Sequence, residues 1–200
     1  MRSETPPPVS DVTVAVLSGG AGSRLGGRDK GLELLRGRPL IAHVIERMRP
    51  QAGLIVVCVN RNAADYAPYA SVRVDDGAPF RGPLAGIAVA LGQCRTPWLV
   101  TVPVDSPLPP GDLVTRLLGA AVRNGAGCTV AHDGERRQPL FALYSRHMSE
   151  SARHALADDL AVWRWQSAMG AVDVDFSDAR DAFVNLNSAE DFRRWERLRG

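Results

Sequence analysis

VTVAVLSGGAGSRLGGRDKG, residues 12–31, sets a six-residue apolar run directly ahead of a loop that holds six glycines. VTVAVL has the length and continuity of a strand buried on both faces of a parallel sheet. The glycines that follow raise the entropy lost on ordering the loop. A chain accepts that loss where backbone N–H groups must approach an anion, typically a phosphate, with no Cβ in the way. Arg24, Arg28 and Lys30 add positive charge to the same loop. The stretch therefore reads as a strand feeding a phosphate-binding turn.

Working outward, apolar runs of strand length alternate with helical patterns, which is the signature of stacked βαβ units. Residues 39–48 (PLIAHVIERM) predict a helix with proline in its first turn and Leu40, Val44 and Met48 on one face. Residues 54–59 predict a second buried strand and 72–74 a short third one. Residues 83–94 predict another proline-started helix, and 98–104 a strand that runs straight into Asp105. A helix follows over 112–122. Strands at 127–131 and 140–144 are joined through HDGE, where Asp133-Gly134 supplies hairpin chemistry. The pattern then gives one helix over 149–169, a strand over 172–176 and a closing helix over 188–199 with Ser188 as its cap. The sum is an α/β chain of three layers around a mainly parallel sheet. Residues 1–10 read as a loose tail and 11–200 as one domain. In such sheets ligands bind outside the carboxyl ends of the strands. The glycine loop, Asp76 and Asp105 all follow strands, so all three are expected on one rim.

Composition narrows the classes. With 24 basic and 22 acidic residues, the formal charge of +2 is too even to point to a nucleic-acid or membrane-surface binder. Cys58, Cys94 and Cys128 form no CxxC pair, and their apolar surroundings predict buried, reduced thiols. The opening MRSETPPPVS lacks the apolar core of a signal peptide. No run reaches the ~18 apolar residues that span a bilayer. A soluble, cytoplasmic protein is expected.

Familiar phosphate motifs fail on the loop. A P-loop requires Lys followed by Ser or Thr, and Lys30 is followed by Gly31. The dinucleotide pattern needs a third glycine where Leu25 stands, and the next strand ends in CVN rather than in an acid. Arg24 offers a planar fork to phosphate oxygens and Lys30 a compact charge; either could instead be a solvated loop cation. Asp105, in VPVDSP, closes an apolar strand where no packing asks for a carboxylate. It suits a Mg²⁺ ion shared with substrate phosphates, or equally a turn aspartate ahead of Pro107. Asn185 and Asn187 alternate in FVNLNS, so an extended segment would point both carboxamides one way; capping the next helix is the other reading. His147 and His154 read as surface residues. FRRWERLRG reads as a docked amphipathic helix rather than an RNA site.

Several stretches together resemble one enzyme family: LSGGAGSRLGGRDKGL, GRPLIAHV, VNRN, VDDGAPFRGPLAGI, PVDSPLPPGDL, HDGERRQP and DFSDARDAFVNLNSAEDFRRW. The first is shared in outline with cytidylyl- and sugar-nucleotidyltransferases; Gly19-Gly20 and the closing AFVNLNS resemble the molybdenum cofactor guanylyltransferases. The resemblance implies a Rossmann-like nucleotidyltransferase fold and transfer of GMP from GTP to molybdopterin, with Mg²⁺ and release of pyrophosphate. It implies that Leu17, Ser18, Gly19, Gly20, Lys30, Asn60, Asp76 and Asp105 bind GTP, and that Arg24, Lys30 and Asp105 serve the transfer. Asp105 would also hold the metal, and Asn185 and Asn187 would meet molybdopterin. Transient contact with molybdopterin-delivering or molybdoenzyme-chaperone proteins is implied as well. Three departures stand out. Cys58 replaces an asparagine, Ser18 an alanine, and DDLAVWRWQ lacks a pair of adjacent arginines. A sister enzyme using CTP or a sugar phosphate, or a nucleotide-binding protein without turnover, are the other readings.

Overall fold

A computed structural model of the chain describes residues 7–19, 29–74 and 82–198. Val12–Leu17 (β1) is buried along its whole length, as an apolar run between two helical layers must be. A ribbon of Leu34–Leu35 (β2) and Arg38–Pro39 (β3) leads into helix Leu40–Met48 (α1). Next come Leu54–Val59 (β4), one turn at Ala63–Tyr66 (α2), Ser71–Val74 (β5) and helix Pro83–Gly92 (α3). Trp98–Pro103 (β6) and Leu113–Asn124 (α4) precede the hairpin of Cys128–His132 (β7) and Arg137–Ser145 (β8). The chain closes through Ser149–Ala157 (α5), Val162–Ala168 (α6), Val172–Asp175 (β9) and Ala189–Leu198 (α7).

Seven strands form one sheet in the order β5-β4-β1-β6-β8-β7-β9, and β8 alone runs against the others. The mainly parallel three-layer arrangement expected from the sequence is what is found. From β1 the chain builds first toward β4 and β5, then returns to place β6 on the opposite side of β1. That reversal opens a crevice at the carboxyl ends of β1 and β6, which is where such sheets bind ligands.

Side-chain alternation along β1 supplies both cores. Val12, Val14 and Val16 pack with α1 and α4, while Ala15 and Leu17 pack with α3 and α5. In α1 the buried residues Leu40, Ile41, Val44, Ile45 and Met48 fall on a single stripe. Helix α3 lies close to the sheet because Gly86 has no side chain there. A Cβ would stand 3.3 Å from Leu17 Cδ2 and 3.5 Å from Cys58 Cβ. Cys58 thus belongs to the apolar core under α3. Cys128 is likewise buried, and burial pushes its thiol up to about 12. Cys94 is half-buried.

Local structure departs from the sequence expectations in four places. The helix expected over 149–169 is two helices. Asp159 adopts φ 52°, and the amides of Asp159 and Leu160 return to the carbonyls of Leu156 and Ala155. This is the left-handed helix stop that Gly125 and Gly170 make at the ends of α4 and α6, built here on aspartate. Strand β8 begins at Arg137 rather than at 140, because Arg137 and Gln138 pair with His132 and Ala131 beyond a bulge. The β2–β3 ribbon was not expected; Arg36 (φ 52°) and Gly37 (φ 73°) make its two-residue turn. The end of the expected loose tail is wound into local structure, though it buries no residue. Residues Val9–Asp11 wind into a 3-10 turn, and a Cβ on Gly53 would lie 2.6 Å from the Ser10 carbonyl.

The HDGE hairpin is held by one carboxylate. Asp133 Oδ1 accepts from the amides of Glu135 and Arg136, both at 2.8 Å, and Oδ2 accepts from Gln138 Nε2 at 2.6 Å. Burial alone would push this carboxyl up; the Arg136 and Glu135 amides and the Gln138 amide outweigh it and hold it below the usual range. A depressed folded-state pKa stabilises the protein above the unfolded value, and that contribution is lost as pH falls through the folded value. Asp133→Ala is expected to lower stability by about 2 kcal/mol near neutral pH, with the difference from wild type shrinking in acid. Thermal unfolding at pH 7 and below pH 3 checks it; an unchanged gap would remove the carboxylate from the account.

Among the described residues, no helix is long and apolar enough to cross a membrane. Helix α7 docks on the α1 and α4 side through Phe192 and Trp195, and the Arg36 guanidinium lies 5.4 Å over the Trp195 ring. The amphipathic-helix reading of the C-terminal stretch is the one observed.

Candidate active site

Three strand ends define the rim. The Ser18 amide donates to the Cys58 carbonyl (2.8 Å) and the Val104 amide to the Leu17 carbonyl (3.1 Å), so β1, β4 and β6 finish level with one another. Asp105 is two residues beyond β6. Its backbone carbonyl accepts from the Leu186 amide at 2.8 Å, which brings the FVNLNS segment alongside the rim. Positions 105 and 186 are distant in sequence, and no local pattern reveals that they touch.

Lys30 crosses this junction. It begins a 3-10 turn, Lys30–Leu32, capped by Asp29, whose carboxylate accepts from the Gly31 amide. Its ammonium donates to Asp105 Oδ2 at 2.7 Å and also to Asn187 Oδ1. Side-chain exposures of 24% and 18% leave the Lys30–Asp105 pair open to solvent on one side. The other oxygen, Asp105 Oδ1, is buried and meets no hydrogen-bond donor among the described residues. A buried carboxylate oxygen whose lone pairs meet no partner is costly unless a cation or donor arrives. The chemistry of this oxygen fits a divalent cation.

The two asparagines do different things. Asn185 Oδ1 accepts from the hydroxyl of fully buried Ser106 at 2.6 Å, whereas Asn187 holds Lys30. Neither carboxamide caps α7. Ser188 does: its Oγ accepts from the Asp191 amide at 3.2 Å, and Asp191 Oδ2 returns to the Asn187 and Ser188 amides at 2.9 and 2.8 Å. Those amides, the Ser188 hydroxyl and the nearby Lys30 charge hold the Asp191 carboxyl below the usual range.

On the other side of the crevice, Gly19 is exposed beside Asn60; a Cβ on it would sit 3.8 Å from Asn60 Cγ. Asn60 Oδ1 is buried and accepts nothing among the described residues. Leu17, Ser18, Gly19, Lys30, Asn60, Asp105, Asn185 and Asn187 therefore gather at the carboxyl rim. Gly20, Arg24 and Asp76 lie outside the described residues. Sequence reasoning missed Ser106, Asp29, Asn62 and Tyr66. The first two stand next to residues it did weigh; Tyr66 gave no signal, being one aromatic in a short helical turn.

A family model described as a MobA-like NTP transferase domain matches residues 14–172. A protein of Shewanella putrefaciens named molybdenum cofactor guanylyltransferase is 40% identical over 182 residues, covering 90% of this chain and 93% of its own length. One of the same name from Vibrio cholerae is 39% identical over 191 residues, covering 94% and 93%. Among solved structures, molybdopterin-guanine dinucleotide biosynthesis protein A from Archaeoglobus fulgidus superposes with a TM-score of 0.76 at 22% identity, covering 93% of this chain and 97% of that one. A 2-C-methyl-D-erythritol 4-phosphate cytidylyltransferase from Thermus thermophilus gives 0.68 at 17% identity, covering 92% and 97%. The fold is thus common to both of these proteins and does not choose between their activities. The family model and the two sequence relatives do: this chain belongs to the MobA-like NTP transferases, among the molybdenum cofactor guanylyltransferases.

Proposed function

We propose that this enzyme transfers GMP from GTP to the terminal phosphate of molybdopterin, forming the guanine dinucleotide and pyrophosphate. The observation that carries the mechanism is the Lys30 ammonium shared between Asp105 and Asn187. An acceptor phosphate oxygen attacks the α-phosphorus of GTP, and the bond from that phosphorus to the bridging oxygen of the β-phosphate breaks. Pyrophosphate leaves with the electron pair. Both reactants are anionic, so neutralisation and alignment are the protein's main tasks.

Asp105 would hold Mg²⁺ through the oxygen that lacks a donor, and the ion would supply charge neutralisation for the triphosphate. Lys30, on a tether anchored at Asp29, sits at the same point and can turn from Asp105 to phosphate oxygens. Gly19 leaves its backbone open to the nucleotide, with Gly20, Arg24 and Asp76 expected to complete that side. The unengaged Asn60 Oδ1 supports a contact with a base N–H or ribose hydroxyl. Asn185 and Asn187, on the far side of Asp105, are assigned to the molybdopterin phosphate or pterin. Contact with molybdopterin-delivering or molybdoenzyme-chaperone proteins belongs to the same proposal.

Incubation with GTP, Mg²⁺ and molybdenum-loaded molybdopterin tests the reading, with the guanine dinucleotide as the product sought. GTP is expected to displace a bound nucleotide analogue at least about tenfold better than CTP, or ~1.4 kcal/mol. Equal displacement would reject the guanylyl assignment. Asn185→Ala is expected to leave GTP affinity within about threefold while cutting dinucleotide formation. Loss of both together with thermal stability would make Asn185 a mere partner of Ser106.

A further inference from the structure

A buried phenol that the transfer chemistry does not use stands directly behind Lys30. Tyr66 is fully buried, and its hydroxyl contacts both the Ser18 hydroxyl (2.6 Å) and Asp29 Oδ1. Proton bookkeeping fixes the direction of the chain. A carboxylate only accepts, so Tyr66 gives its one proton to Asp29, and Ser18 must then donate to the Tyr66 oxygen. Burial first, then the Asp29 hydrogen bond, pushes the phenol far above its ordinary range, so it remains a donor. Asp29 is filled from further sides: Asn62 Nδ2 donates to Oδ2 at 3.0 Å and the Gly31 amide to Oδ1 at 3.3 Å. Asn62 reaches it from a left-handed backbone position, φ 54°.

Gly31 completes the staple. A Cβ there would lie 2.3 Å from the Tyr66 hydroxyl and 2.5 Å from Ser18 Oγ. Only glycine lets the turn sit down on the two hydroxyls. Lys30 is thus bracketed, with Asp29 bonded on one side and Gly31 wedged on the other. The network joins three chain segments: the end of β1, the 3-10 turn and α2.

We infer that Tyr66, with Ser18 and Asp29, is a positioning residue that fixes the backbone from which Lys30 reaches the phosphates. This rests on the assignment of Lys30 to the GTP phosphates proposed above. Ser18 is, on this account, the donor that holds the phenol's orientation.

Four proteins test it: wild type, Tyr66→Phe, Lys30→Ala and the double variant. Turnover, KM for GTP and the calorimetric GTP affinity are measured in each, alongside thermal unfolding. Tyr66→Phe keeps the ring packing and is expected to lower kcat about tenfold. In the Lys30→Ala background the same change is expected to alter turnover and GTP affinity less than twofold, because its effect runs through the lysine. Should turnover of Lys30→Ala fall below detection, the GTP affinities decide alone. An equal loss in both backgrounds, or a wild-type rate for Tyr66→Phe, overturns the positioning role. A wild-type rate for Lys30→Ala removes the role of the lysine itself, and the two failures are told apart by that single variant. If Tyr66→Phe does not fold, Ser18→Ala replaces it in the same cycle and is judged by the same coupling.

Discussion

Lys30→Ala is expected to reduce turnover by on the order of 10² to 10³, the usual loss when a charge aimed at the transferring group is removed. Little of this should come through stability. The pair it makes with Asp105 is partly solvent-exposed and contributes on the order of 1 kcal/mol or less. Lys30→Arg is expected to rescue only part of the rate. The ammonium meets Asp105 Oδ2 and Asn187 Oδ1 from one point, and a planar guanidinium cannot put its donors there without moving the anchored turn. Full activity in the arginine variant would show a looser site than the one described. Single-turnover measurements at saturating GTP separate the rate from any change in affinity.

Asp105→Ala is expected to lower turnover by on the order of 10², since the carboxylate proposed to hold Mg²⁺ and the counter-charge of Lys30 disappear together. The fold should persist. What ties residue 105 to the FVNLNS segment is its backbone carbonyl, which alanine retains. Asp105→Asn sharpens the test, because a carboxamide can still accept from Lys30 but brings no charge to a divalent ion. Titration of the free protein with Mn²⁺ is expected to show weakened binding in both variants. Near-normal turnover of Asp105→Ala at saturating Mg²⁺ would return this residue to a turn aspartate ahead of Pro107.

Much of this was legible in the chain itself. The apolar runs gave the strands at Val12–Leu17, buried throughout, and Leu54–Val59, buried from Val56 on, because burial on both faces leaves a continuous hydrophobic signature. Strand-end placement predicted one rim for the glycine loop, Asp76 and Asp105; Lys30, from the end of that loop, does meet Asp105, while Asp76 and residues 20–28 lie outside the described residues. The missing parts are those where a side chain acts against its type. Asp159 stops a helix in a glycine's conformation, and Arg36 shares a turn with Gly37 at positive φ. For the two asparagines, proposed to face one ligand, the residues that hold them were not legible: Ser106 for Asn185 and Lys30 for Asn187. Which partner each finds depends on segments brought together by folding, some more than seventy positions apart, and no periodicity records that.

The bond from the Leu186 amide to the Asp105 carbonyl has a dynamic consequence. Asn187 and Ser188 lie between that bond and α7, which packs through Phe192 and Trp195 and meets Arg36 at Glu196. Local opening of α7 would therefore carry Asn187 away from Lys30 and leave the rest of the sheet intact. Hydrogen exchange at the amides of Leu186 and Phe192 should then report a shared opening event, slower when nucleotide engages Lys30. In that sense α7 would work as a clutch on the site, its engagement setting how long Asn187 stays against Lys30.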